Sequence, residues 1–404
     1  MMKAYPEYKN SGFEWLGEVP EHWELRRLGT HFFERSEKVN DTDYPALSVT
    51  KLGIVPQLEN VAKTDANDNR KKVVEGDFVI NSRSDRKGSS GISDYNGSVS
   101  LISIVLEPRN FSSEYAHHLF RSYNFQEEFY RYGSGIVADL WSTRFTDMKG
   151  IYIPVMPLEE QHKIARYLDK ETVRIDSLIS EKQNFIKLLQ EKRQALISHV
   201  VTKGLNPNVE MKDSGVEWIG EIPEHWVAKK LKHCLSIKNG QDYKEVETEK
   251  IEGSYPVYGS GGEFRRATDY LYDGESVLLG RKGTIDKPMY VNEKFWTVDT
   301  MFYSKIHNNS DGKFLYYLST TLPFGFYQTK TALPSMTQGD LLNHPIAVPD
   351  KLEQIKIREY IDAQCEKFDY LKAEVLNSVG LLKEHRTALI SAAVTGKIDV
   401  REVA

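Results

Sequence analysis

Apolar residues recur at helical spacing through residues 158–203, a stretch that holds neither proline nor glycine. Alternate steps of four and three from Ile164 meet Leu168, Ile175, Leu178, Phe185, Leu189 and Leu196, broken by Glu171, Lys182 and Lys192. Charge dominates the other faces, so the pattern predicts one long helix with a coiled-coil-like seam. At 1.5 Å per residue it would run roughly 70 Å. A stripe of that length needs a partner. Residues 352–395 supply one: an offset of 193 carries Ile164 to Ile357, and the same steps meet Ile361, Phe368, Leu371, Val375, Leu382 and Leu389. Letters return as well, Glu160-Gln161 as Glu353-Gln354 and Tyr167 as Tyr360, which marks a duplicated unit.

A second repeat bounds the units. SGFEWLGEVPEHW at 11–23 returns as SGVEWIGEIPEHW at 214–226. Its glycines and prolines predict an ordered, non-helical lead-in whose tryptophans anchor on a core. Arg26-Arg27 and Lys229-Lys230 follow at equal distance, either as phosphate contacts or as a solvated first turn. Beyond them, 44–55, 73–80 and 99–106 read as β and 112–131 as helix, with polar turns such as 65–69 between. In the second copy 255–258, 276–279 and 295–303 read as β and 312–320 as helix.

The expected fold class is therefore α/β. Two globular mixed α/β domains, 1–156 and 206–349, are each followed by a long helix, at 157–205 and 350–404 with the C-terminal tail. About ten residues separate Lys203 from Ser214, too few for a long return connection, so the helices are expected to pack antiparallel. The order lead-in, domain, helix, twice over, then closes almost into a ring with pseudo-twofold internal symmetry.

Composition narrows the chemistry. The net charge is −5, from 53 basic and 58 acidic residues, so any nucleic-acid site must be a local patch. Cys234 and Cys365 are too few and too far apart for a disulfide framework or a cysteine zinc site, and the histidines lack metal spacing. There is no signal-peptide pattern and no run of about 18 apolar residues to span a membrane, which implies a cytoplasmic setting. No nucleotide phosphate loop occurs, and no set of nucleophile, base and acid stands out. The chain is not expected to be an enzyme, nor to hold a metal or cofactor.

Two basic loops follow β-like stretches. The first, 81–90, carries Arg83, Arg86, Lys87 and Ser89; the second, 280–287, carries Arg281, Lys282, Thr284 and Lys287. Arginine and lysine can contact phosphates or guanine edges, hydroxyl groups can hold backbone oxygens, and amides freed by glycine can cradle an anion. A solvated charged loop is the alternative for each. Later in each domain the 193 offset sets Arg144 opposite Thr337, followed by Gln338. These side chains can read a base or cap the next element. Tyr258 and Ser260, in a glycine-rich stretch, are weaker candidates of the same kind.

Taken together, these residues resemble the specificity subunit of type I restriction-modification enzymes. The marks are the doubled domain-and-helix plan, PLEEQHKIA at 157–165 with its counterpart at 352–357, YPVYGSGG at 255–262 and ALPSMTQGD at 332–340. The first domain departs from this pattern at 135–149, so its half-site should differ. The resemblance implies that each domain reads one half of a bipartite double-stranded DNA target. It implies that the helices set the spacer and dock two methyltransferase subunits. S-adenosylmethionine, ATP and magnesium would then belong to the methyltransferase and restriction/translocase partners. The competing class is a duplicated non-catalytic scaffold that binds proteins, which explains the helices but not the paired basic loops.

Overall fold

The computed structural model describes residues 3–57, 69–135, 141–217, 219–326 and 335–402. Trp218, and parts of the stretches 65–69, 135–149 and 332–340, lie outside the described residues. The helices are α1 (Ser113–Arg121), α2 (Tyr123–Arg131), α3 (Phe145–Met148), α4 (Leu158–Lys203), α5 (Gly312–Ser319), α6 (Gln338–Asn343) and α7 (Lys351–Val394). The chain divides into two compact units, Met1–Gln183 with Leu376–Ala404, and Asn184–Val375. It is an α/β protein in which two α/β domains are linked by the long helices α4 and α7.

The first unit holds a four-stranded antiparallel sheet in the order Ser90–Ile92, Phe78–Asn81, Ser103–Pro108, Phe32–Glu34. A three-stranded sheet (Gly97–Ser100, Arg70–Val73, Lys38–Val39) and the hairpin Leu47–Thr50/Gly53–Pro56 lie beside it in the topology. Residues 112–131 form two helices rather than one. Ser122 adopts extended ψ 147° and its hydroxyl accepts from Phe125 N, as Ser112 accepts from Tyr115 N at the start of α1. A serine that caps the next segment ends the previous one. Trp23, Phe32, Phe78, Phe120 and Phe125 form the core with Ile164, Leu168 and Ile175 of α4 and Leu389, Ala393 and Val394 of α7.

In the second unit seven strands form one sheet, in the order Leu235–Asn239, Met301–Ile306, Tyr272–Gly280, Met289–Thr297, Tyr255–Gly259, Gly262–Ala267, Glu247–Thr248. Tyr255–Gly259 runs parallel to Met289–Thr297, and the other pairs are antiparallel. Trp226, Leu231, Phe302 and Phe314 pack with Ile197, Val200 and Val201 of α4 and Ile357, Ile361 and Cys365 of α7.

Within each unit the helix segments run antiparallel. In the first, Asp176 pairs with Arg386 at 2.9 Å; in the second, Asp369 pairs with Arg193 at 2.7 Å. The 193 offset relates Asp176 to Asp369 and Arg193 to Arg386, so the same pair recurs with the helices exchanged. The seam departs from the expected one in its middle. Ile164, Leu168, Ile175, Leu189, Ile357, Ile361 and Leu389 are buried, and Leu178, Leu196, Phe368, Val375 and Leu382 are half-buried. Phe185 is 45% exposed and Leu371 42%, while Cys365 and Val379 are buried in their stead. Four-three stepping follows a 3.5-residue turn, whereas a straight helix turns every 3.6, so the apolar stripe drifts about 20° per heptad.

The repeated lead-ins are fastened to the helix starts. Trp23 Nε1 donates to Glu160 at 3.0 Å and His22 meets the same carboxylate at 2.9 Å; Trp226 Nε1 and His225 meet Glu353 at 3.2 and 2.7 Å. Gln161 accepts from Ser112 N and donates to Met156 O, and Gln354 accepts from Asp311 N and donates to Pro349 O. The basic pairs that follow lie in strands rather than in a first turn. Glu24–Arg27 pairs with Tyr152–Val155, and Val227–Lys230 with Pro345–Val348.

Candidate nucleic-acid interface

The first basic loop leaves the strand Phe78–Asn81 and is pinned by the segment 141–143. Thr143 N donates to Ser82 O and Ser84 N to Trp141 O, both at 3.0 Å, and Arg83 forms a β-bridge with Ser142. That segment is itself held by α2, where Trp141 Nε1 donates to Tyr130 O and Thr143 Oγ1 to Phe129 O, each at 2.9 Å. Arg83, Arg86 and Arg144 are exposed. Two of the expected contacts are less accessible. Ser89 is buried, because its backbone bonds both Asn81 and Arg86 where the loop rejoins the sheet. Lys87 forms an ion pair with Glu127 of α2, and its ammonium lies 5.8 Å from the ring centres of both Tyr123 and Tyr130. It serves as an anchor for the loop.

The second basic loop has the same frame. Met336 N donates to Arg281 O at 3.0 Å, and Lys282 forms a β-bridge with Ser335. Thus Ser82 and Arg281 are equivalent, as are Arg83 and Lys282, Ser142 and Ser335, and Arg144 and Thr337. Arg144 precedes α3 and Thr337 precedes α6. Gly280 makes the loop possible: a Cβ there would stand 2.2 Å from the Thr284 carbonyl oxygen.

Around this frame, the turn at 297–301 gathers the candidates of the second unit. Arg281 N and Lys282 N donate to Thr300 O, Val298 N donates to Tyr258 O, and Gly240 N and Gln241 N donate to Met301 O and Thr297 O. Gln338 joins the group by donating to Asn239 Oδ1 at 2.9 Å. Lys282, Thr284 and Lys287 are exposed, and Ser260 sits half-buried in the turn after Tyr255–Gly259. Three further side chains are already engaged. Arg281 Nη1 donates to Asp299 O at 3.2 Å. Thr337 is committed to a capping box, its hydroxyl donating to Asp340 at 2.6 Å and accepting from Asp340 N. Tyr258 donates to Glu293 at 2.7 Å, and burial together with that carboxylate pushes its phenol well above the ordinary range.

An open cleft of about 620 Å³ in the first unit, lined among others by Lys51, Gln57, Arg70, Arg83 and Arg86, is not among the sites expected from sequence. The run Arg70-Lys71-Lys72 was a visible signal for it. Asn239, which holds Gln338, carried none, since it lies 99 residues away in sequence. Among the described residues no group of three or more His, Cys, Asp or Glu could hold a metal, and no helix is long and apolar enough to cross a membrane.

Residues 20–188 and 223–379 match the family model of the type I restriction modification DNA specificity domain. The chain is 28% identical to the type I restriction enzyme MjaVIII specificity subunit of Methanocaldococcus jannaschii, over 98% of both chains. It is 24% identical, at the same coverage, to the putative MjaX specificity subunit of that organism. In fold it is similar to a chain from a structure of type I R-M complex assembly and conformational transition, with TM-score 0.72, 18% identity, and 93% of this chain and 98% of that one covered. It is also similar to the HsdS subunit from Thermoanaerobacter tengcongensis, with TM-score 0.58, 18% identity, and 96% and 100% covered.

Proposed function

The chain belongs to the type I restriction-modification DNA specificity family as a non-catalytic specificity subunit, and on that premise we propose how it divides the work of recognition. Each unit reads one half of a bipartite duplex target, α4 and α7 together set the distance between the halves, and the helices dock two methyltransferase subunits. Restriction/translocase subunits join the larger complex, in the cytoplasm, and the methyl donor and ATP chemistry stay with the partners.

The observation that carries this reading is the repeated loop frame with changed side chains. The same backbone pairings present Arg83, Ser142 and Arg144 in one unit and Lys282 and Ser335 in the other, where the capping Thr337 stands in the place of Arg144. A conserved mount with different donors suits two unlike half-sites, since base edges are told apart by donor and acceptor pattern. A protein-binding scaffold has no need of such a pair.

The test is a methylation map from cells carrying the system. Four residues inserted into both helices between seam layers add about 6 Å to each. The expected result is a longer spacer flanked by the original half-sites. Altered half-sites with an unchanged spacer would overturn the division of labour.

A further inference from the structure

The strand Arg70–Val73 begins with a guanidinium that has left water and, among the described residues, meets no carboxylate at ion-pair distance. Arg70 is 7% exposed and lines the cleft of about 620 Å³. Its Nε donates to Ser98 Oγ at 2.8 Å and its Nη2 to Ser98 O at 3.0 Å. Arginine has five N–H donors in a fixed fork, so the serine leaves three of them. Its neighbours are matched differently: Lys71 meets Glu34 at 2.7 Å, Lys72 meets Glu37 at 3.1 Å, and Arg35 is bonded twice to Asp77. Among the described residues Arg70 forms no ion pair. Burial lowers its pKa from the usual arginine value, and the pull of Asp41 is the smaller effect.

A buried cation held by neutral partners opposes folding unless an anion completes it. The rest of the lining fits that need. Lys51, Arg83 and Arg86 are exposed along the cleft, and Asp85, the carboxylate among the described lining residues, stands 3.5 Å from Arg86. Basic groups thus converge on one concavity from three places: the turn of the hairpin Leu47–Thr50/Gly53–Pro56, the strand Arg70–Val73 and the loop after Phe78–Asn81.

We propose that this cleft is a phosphodiester-binding site, in which Arg70 presents its spare donors to a backbone phosphate of the bound duplex while Lys51, Arg83 and Arg86 flank it. The proposal rests on the reading of the first unit as a DNA reader and adds a site to it. A phosphate offers the geometry that a guanidinium fork meets with two parallel bonds. Such a contact fixes the register of the duplex on the unit and carries no sequence information of its own.

The full chain, purified with its methyltransferase subunits, is titrated with a mixed-sequence duplex across a salt series. The variants are Lys51→Ala, Arg83→Ala and Arg70→Met. The exposed Lys51 and Arg83 keep the test open should Arg70→Met fail to fold. Each loss of a phosphate contact should lower the salt slope of the binding constant by about 1, and Lys51→Ala, outside the repeated loop frame, should leave the methylated sequence unchanged. Wild-type slopes in both surface variants would overturn the site while leaving DNA reading intact. Absence of duplex binding by the wild-type complex would overturn the underlying reading and the site with it. Inorganic phosphate alone provides the second arm. If it raises the melting temperature of wild type but not of Arg70→Met while the surface variants keep the wild-type DNA slope, the cleft serves a small phosphate and the duplex assignment falls.

Discussion

Replacing Glu160 by alanine should loosen the first unit far more than the equivalent Glu353→Ala loosens the second. Glu160 accepts from Tyr5 Oη at 2.9 Å and Trp23 Nε1 at 3.0 Å, and its side chain is 8% exposed. Both donors come from almost fully buried rings. Leaving each unsatisfied costs about 1–3 kcal/mol, so the pair should cost about 2–6 kcal/mol, centred near 4. His22, 42% exposed at its side chain, adds little. Glu353 bonds one buried indole, Trp226, at 3.2 Å, and at 28% exposure water can replace it. Its loss should cost about 1–2 kcal/mol. Hydrogen exchange read on the strands Tyr8–Asn10 and Met211–Asp213 reports each unit separately. At about 1.4 kcal/mol per tenfold, exchange should quicken several-hundredfold in the first strand for Glu160→Ala and roughly tenfold in the second for Glu353→Ala. Equal acceleration in the two, or a larger effect from Glu353→Ala, would refute the claim that buried donor count sets the strength of these joints.

Two further outcomes are expected. Burial, then Arg121 at 3.0 Å, depress His117 from 6.5 to about 3. The unfolded chain then binds a proton that the folded one refuses, so stability is full above about pH 6.5 and declines as the pH falls toward 3. The loss should reach about 2 kcal/mol by pH 5. Melting curves at pH 7.5 and 5 should show a smaller drop for His117→Phe than for wild type, and an equal drop would remove His117 from the account. Separately, Gln338→Ala should relax methylation at one position of the second half-site by about 1–3 kcal/mol of discrimination and leave the first half-site untouched. Uniform weakening over all sequences would instead mark Gln338 as a backbone contact.

The long helices were legible because no proline interrupts them and, apart from Gly380 within the second, no glycine does before Gly204 and Gly396, both with positive φ (78° and 73°), where left-handed backbone ends an α-helix. Their antiparallel direction followed from one short connection. The middle of the seam was not legible, since a 3.5-residue step and a 3.6-residue helix diverge slowly and only packing shows which position wins. At the basic loops, charge and glycine located both segments, but the fate of single side chains depended on distant partners. Lys87 went to Glu127, and Thr337 went to its own helix. Spacing in sequence cannot distinguish a lysine that faces solvent from one that lies over two tyrosine rings.

The same logic explains why the letters repeat where they do. The tryptophan and histidine of each lead-in are bonded to the glutamate at the head of a long helix. The glutamine beside it ties the helix to the residue before α1 or α5 and to the strand end before the helix. A substitution at either side of such a joint strands a buried donor or acceptor, so the two copies are held to the same residues by hydrogen-bond satisfaction. The loops at 83–86 and 281–287 sit on a mount made of backbone bonds, from 82 to 143 and from 281 to 336, which any side chain can occupy. Joints built from side chains keep their letters, and a mount built from main chain lets them vary. On the proposed reading, that division lets one scaffold carry two readers with different contacts, and it makes the variable stretches, not the repeated motifs, the place to look for target choice.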